Sequence, residues 1–130
     1  MSLNDALSIA LSTLWNAEKV GRDECLINFN SKIITSVLNI LKREEYIKDF
    51  QVIKQGKKTI TKISLLGNIN KCLAIKPRYP LKIEDYKKFE KRYLPATNVG
   101  ILIVSTNKGI MTHRESRQNN LGGKLIAFCY

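Results

Sequence analysis

Leu3, Leu7, Ala10, Leu11 and Leu14 recur every three or four residues, the spacing of one helix face. Ile9 and Trp15 widen that stripe, Ser2 or Asn4 is positioned to cap it, and Gly21 marks the exit. Residues 24–29 read as a short strand. Ser31 then precedes a second helix, with Ile33, Ile34, Val37, Leu38 and Leu41 on one face. Residues 46–53 read as a strand and Gln55-Gly56-Lys57 as a hairpin turn. Residues 59–66 alternate, which places Ile60, Ile63 and Leu65 inward with a slip near the end. The first half is therefore expected to run α-β-α-β-β.

Gly67-Asn68 marks a boundary, and no Ser/Gly-rich tract, repeat or low-complexity segment follows it. Residues 72–75 form a short apolar strand, after which Pro77 and Pro80 force an extended path. Residues 83–93 are charged and suit one or two helical turns, stopped by Pro95. Apolar β runs at 101–104 and 125–130 enclose a polar stretch. Within it, Thr112 and Glu115 have the spacing of a capping box for a short helix over about residues 113–118. Gly122-Gly123 lets the chain reverse into the last strand. The second half reads as mainly strands with small helices, so the fold class is α+β.

A chain of 130 residues has room for one compact domain or two small lobes. Its charge changes the picture. Twenty-two basic and eleven acidic residues leave a net of +11, which suits a polyanionic partner. Residues 1–66 hold ten cations and seven anions, a net of +3. Residues 67–130 hold twelve and four, a net of +8. The excess is one-sided, which favours a binding face in the second half. The N-terminal apolar positions alternate with polar ones and no charged segment precedes them, so no secretory signal is expected. No run has the length to cross a bilayer. A membrane-surface role is disfavoured, because the amphipathic helices lie in the less basic half. Cys25, Cys72 and Cys129 are odd in number and far apart, which fits reduced core thiols in the cytosol.

Ser105-Thr106-Asn107-Lys108-Gly109 ends a strand and makes a turn. These are ordinary turn residues. In basic surroundings, however, their hydroxyl and amide groups can also hydrogen-bond bases, riboses or phosphates. Lys76-Pro77-Arg78-Tyr79 places two cations and an aromatic on a stiff connector. Tyr79 there is read as covering the core, with Lys76 and Arg78 open to either role. His113, the single histidine, falls in the first turn of a helix, where a positive imidazolium is disfavoured. It has no nearby second ligand, so a neutral polar or stacking role is expected rather than metal binding. Gly56-Lys57-Lys58-Thr59 fails as a phosphate-binding loop, because Gln51 stands where that loop needs its first glycine. A hydrolase built on Ser105 lacks a suitably spaced base and acid. Binding rather than catalysis is expected, without cofactor or metal.

From end to end the chain resembles the universal small-subunit ribosomal protein numbered eight in the small-subunit series. The carrying pieces are Asp5, Asn16-Ala17, Ser31-Lys32, Glu45-Tyr46-Ile47, Ile69-Asn70-Lys71-Cys72 and Ile75-Lys76-Pro77-Arg78. Lys88-Phe89-Glu90-Lys91-Arg92-Tyr93-Leu94-Pro95 is similar to the archaeal and eukaryotic cytosolic branch, as are the two Ile-led pieces just named. The run from Ser105 to Glu115, with Gly122-Gly123, is the most specific part.

The resemblance implies two lobes, an N-terminal α-β-α-β-β lobe over residues 1–66 and a β-rich rRNA-binding lobe over 67–130. It implies a primary binder of an irregular helix in the central domain of small-subunit rRNA, working in the cytoplasm among neighbouring ribosomal proteins. A free-standing regulator of its own messenger RNA is the alternative, since family members can bind messages that mimic the rRNA site. The RNA-binding residues implied are Ser105, Thr106, Asn107, Lys108 and Gly109, supported by Gly122 and Gly123. Lys32, Lys76, Arg78 and Lys108 are assigned to phosphates. Asn107 stands where bacterial members often carry Ser, and Lys124 where they often carry Glu.

Overall fold

The computed structural model describes residues 3–96 and 99–130, and the side chains of all of these but residues 3–5 and 76–78. The chain divides into two compact units, Met1–Asn70 and Lys71–Tyr130.

In the first unit the order is α1 (Leu3–Lys19), β1 (Glu24–Ile27), α2 (Lys32–Arg43), β2 (Ile47–Gln55) and β3 (Lys58–Leu65). The three strands form an antiparallel sheet in the order β1-β3-β2. Leu7, Ala10, Leu11 and Leu14 of α1 are buried with Ile34, Val37, Leu38 and Leu41 of α2, as the helical spacing predicts. Ile9 does not join them, and is 42% exposed on the outer side of α1. The proposed cap Ser2 lies outside the described residues, and Asn4 lies within the helix.

Helix α1 stops where Gly21 takes a φ of +75°. There the Arg22 N–H reaches the Ala17 carbonyl and the Gly21 N–H reaches that of Glu18. Helix α2 starts at Ser31, whose hydroxyl accepts from the Ile34 N–H. It ends with the same pair of bonds as α1, Tyr46 to Leu41 and Glu45 to Lys42, although Glu45 has a φ of +64°.

The inward face of β3 differs from the expected one. Thr61, Ile63 and Leu65 are buried, and Ile60 is half-buried on the other side. Strict alternation holds along β3. The slip lies in β2, where Lys48 bulges between Ile47 and Asp49. Thr61 is accepted inside because its hydroxyl donates to the Phe29 carbonyl at 2.9 Å.

The second unit runs β4 (Cys72–Leu81), a 3-10 turn (Ile83–Asp85), α3 (Tyr86–Tyr93), β5 (Ile101–Thr106), β6 (Gly109–Thr112), α4 (His113–Gln118) and β7 (Gly123–Cys129). Its antiparallel sheet has the order β4-β7-β5-β6. Strand β4 is longer than the expected short run, and the proline segment belongs to it. Prolines are tolerated here because β4 is an edge strand, and because it leaves the ladder between Ala74 and Tyr79. Leu102, Val104, Leu125 and Phe128 of the sheet pack with Ile75, Leu81, Tyr86, Phe89 and Leu94. The Tyr86 hydroxyl meets the Ser116 hydroxyl and lies 3.0 Å from the Leu121 carbonyl, which ties α3 to α4 through buried polar atoms.

Candidate nucleic-acid interface

The β5 and β6 strands join through a two-residue turn, Asn107-Lys108, with Thr106 opposite Gly109. On the other side of β5, Thr106 pairs with Gly123 and Ser105 with Lys124. Directly paired residues of an antiparallel sheet point to the same face. Two rows therefore cross the end of the sheet. One holds Pro80, Lys124, Ser105 and Ile110; the other holds Leu81, Gly123, Thr106 and Gly109. In the second row Thr106 has a glycine directly opposite it on each side, and from β6 only the Met111 sulfur reaches its hydroxyl, at 4.0 Å.

The two glycines at 122 and 123 are there for space. A Cβ on Gly123 would run into the Ser105 carbonyl, and one on Gly122 would lie 2.6 Å from the Leu81 carbonyl. The close approach of β7 to β5 at the turn thus depends on glycine.

The two hydroxyls differ in what they have left to offer. Thr106 donates to the Gly109 carbonyl at 2.8 Å and accepts from the Lys108 N–H at 3.2 Å. Its hydrogen is committed to bracing the turn, and one lone pair remains for a ligand. Ser105 is half-buried and its hydroxyl has no partner among the described residues, so it can both donate and accept. Asn107, Lys108 and Gly109 are exposed at the tip, and Lys124 is exposed beside Ser105. Among the described residues, neither Lys108 nor Lys124 has a carboxylate partner.

Helix α4 backs this hairpin. Thr112 caps it, accepting from the Glu115 N–H at 3.3 Å, as the Thr–Glu spacing predicts. His113 follows at 3% exposure. Its Nδ1 accepts from the Leu102 N–H at 3.1 Å, which leaves the hydrogen on Nε2, 3.5 Å from a Glu90 oxygen. Burial pushes the imidazole below its ordinary pKa, Glu90 pushes it back up, and Arg114 and Arg117 push it down. His113 is thus a neutral internal strut of β5. No group of three or more metal-ligating side chains occurs among the described residues. Cys25, Cys72 and Cys129 are buried and form no disulfide, and burial raises the pKa of Cys25, which keeps it protonated.

The other residues assigned to phosphates are placed differently. Lys32 is exposed at the first position of α2, in the first unit. Lys76 and Arg78 lie on β4 where it leaves the ladder, and their side chains lie outside the described residues. The residues brought together are therefore Ser105, Thr106, Asn107, Lys108, Gly109, Gly122 and Gly123. Lys124 joins them, although it is not in the candidate set read from sequence. Its place beside Ser105 depends on strand pairing, and only its position after the two glycines hinted at it.

No helix among the described residues is long and apolar enough to cross a membrane. The family model described as ribosomal protein S8 matches residues 5–130, nearly the whole chain. That family consists of structural ribosomal proteins that bind rRNA and are not enzymes, which agrees with a hairpin tip rich in hydrogen-bonding groups and cations and without a nucleophile–base pair. On this match the chain belongs to the ribosomal protein S8 family.

Proposed function

We propose that the protein is a primary rRNA binder of the small ribosomal subunit, recognising an irregular helix in the central rRNA domain through the β5–β6 turn. It acts in the cytoplasm during subunit assembly, next to other ribosomal proteins. The observation that carries this reading is the setting of Thr106 between Gly109 and Gly123, with Ser105 and Lys124 on the opposite face.

Regular A-form RNA hides its base edges in a deep, narrow groove, so selective contacts need bulged or unpaired bases. A turn flanked by bare glycine backbone can enter such an irregularity where a bulkier strand end cannot. Once there, the Ser105 hydroxyl and the Asn107 amide offer donors and acceptors, while Lys108 and Lys124 meet phosphates. Lys32, Lys76 and Arg78 add sequence-independent attraction. Assignment to the archaeal and eukaryotic cytosolic branch rests on Ile75-Lys76-Pro77-Arg78 and the segment from Lys88 to Pro95.

The test is equilibrium binding to a central-domain rRNA hairpin and to a scrambled hairpin of equal length across a salt series. Preference for the cognate hairpin that persists at high salt is expected. Equal binding to both that collapses with salt would leave only the net charge of +11 acting, and would refute the reading.

A further inference from the structure

A second cationic feature of the Lys71–Tyr130 unit lies outside the turn, where α3 meets β4. Helix α3 carries Lys87, Lys88, Lys91 and Arg92, all exposed, against a single acid, Glu90. Glu90 is already occupied, at 3.1 Å from Arg117 and 3.5 Å from His113. Among the described residues, the four cations have no carboxylate partner. Glu84 and Asp85 precede the helix without pairing to these cations, and four like charges within two helical turns repel one another, an arrangement that an anionic ligand relieves.

The apolar side of the same helix supplies aromatic rings. Phe89 is 6% exposed and forms a floor. Tyr79 of β4 stands 5.5 Å from it, centroid to centroid, and Tyr93 stands 6.4 Å away with its ring tilted by only 10°. Both tyrosines are half-buried, so Tyr79 covers the core as the sequence reading expected, while part of it stays in solvent. The Arg92 guanidinium lies 5.3 Å from the Tyr79 centroid and 5.5 Å from that of Tyr93. Neither tyrosine hydroxyl has a partner among the described residues.

A guanidinium held by two rings is oriented before any ligand arrives. Its N–H edge remains able to grip a phosphate with two bonds, and its outer plane can stack on a base. Both contacts are available together only from an unpaired nucleotide, because a duplex buries its base faces.

We propose that Tyr79, Arg92 and Tyr93, on the Phe89 floor, form a second RNA-binding site that takes an unpaired nucleotide next to the helix held by the β5–β6 turn. The inference rests on the rRNA-binding reading and extends it to single-stranded RNA. An acidic peptide would use the cations of α3 but would have no use for the stacked rings.

The experiment uses the full chain and a short unstructured RNA carrying a fluorescent adenine analogue, alongside the cognate hairpin. Wild-type protein is expected to quench the analogue by stacking. Arg92→Lys keeps the charge but loses the planar fork, and should weaken single-strand affinity about tenfold. Tyr93→Leu should abolish quenching, with circular dichroism confirming that it folds. Lys87→Gln, on the same helix, should weaken binding by less than about threefold, as expected for one lost phosphate contact. Equal losses in Arg92→Lys and Lys87→Gln, or no loss in Arg92→Lys, would overturn the proposal. So would unchanged RNA affinity in Arg92→Lys alongside lost affinity for a polyglutamate peptide. A Ser105→Ala, Thr106→Ala double variant should keep single-strand quenching and lose hairpin preference. If it loses that preference while the Arg92 and Tyr93 variants change nothing, this site fails and the rRNA-binding reading stands.

Discussion

Gly123→Ala isolates the contact on which the proposed RNA-binding tip depends. The new Cβ would overlap the Ser105 carbonyl oxygen and lie 3.1 Å from Val104 Cγ1. The carbonyl is backbone, and Val104 is fully buried, so neither can swing aside. Relief requires the ends of β5 and β7 to separate, which gives up the pairing of Thr106 with Gly123. Overpacking of this kind costs about 1–3 kcal/mol, and a lost ladder hydrogen bond adds about 1 kcal/mol. We therefore expect a loss of about 2–4 kcal/mol in the second unit, together with weaker cognate-hairpin binding as the turn shifts.

Urea denaturation should be followed by far-UV circular dichroism and tyrosine absorbance. Trp15 is the single tryptophan and belongs to the first unit. Tyr79, Tyr86, Tyr93 and Tyr130 all lie in the second unit, which makes absorbance the better probe. A Gly123→Ala protein within about 0.5 kcal/mol of wild type, with unchanged hairpin affinity, would refute the argument that this glycine is required for space.

Three further outcomes are expected. Ser105→Ala should cost about 1–3 kcal/mol of cognate binding and leave stability within about 0.5 kcal/mol, whereas Thr106→Ala should also lose about 1 kcal/mol of stability, because its hydroxyl braces the turn. Calorimetric titration paired with denaturation separates the two, and identical behaviour would contradict their different bonding. Glu45→Gly should stabilise the first unit by about 1 kcal/mol, since glycine removes the left-handed penalty at the end of α2 at some cost in chain entropy; no rise in melting temperature would count against it. Acidification should destabilise the second unit through His113. Its folded pKa is depressed, so below about pH 6.5 the unfolded chain binds the extra proton, and stability falls from there down to the folded pKa. His113→Asn, whose oxygen can still accept from Leu102, should flatten that slope in denaturation curves. An unchanged slope would show that the imidazole does not titrate on unfolding.

Much of this was legible in the chain because the informative signals are local. The helix faces, the Ser31 and Thr112 caps and the hairpin at Gly56 follow from neighbours a few residues apart. The misreadings share a physical cause. Ile9 fits the helical stripe by hydrophobicity, yet it lies on the exposed side of α1. Thr61 displaced Ile60 from the inside because a partner more than thirty residues away, the Phe29 carbonyl, satisfies its hydroxyl. The candidate turn could be named from its residue types. The glycines flanking Thr106 and the approach of Lys124 to Ser105 are products of strand pairing, which no local pattern encodes. The same holds for Arg92 between Tyr79 and Tyr93, where only the meeting of a helix and an edge strand brings the three together.

The single extra residue in β7 carries a consequence for how this chain can vary. Ile126 lies in the register break toward β5 and in the larger one toward β4. Its insertion shifts the in-out phase of the strand, so that Phe128 and Leu125, three apart, share the core side while Leu102 and Val104 opposite them are two apart. The bulge joins two stretches of regular alternation, Phe128 and Ala127 on one side of it and Leu125 to Gly123 on the other. Deleting Ile126 would bring Leu125 directly after Ala127 and still opposite Val104, so Lys124 would stay beside Ser105 and Gly123 beside Thr106. Deleting Lys124 instead would carry Gly123 to the place beside Ser105 and turn over the residues that follow it toward the turn. This strand can therefore lose a residue at its bulge and keep its faces, whereas the same loss at its far end would re-aim the groups next to Ser105.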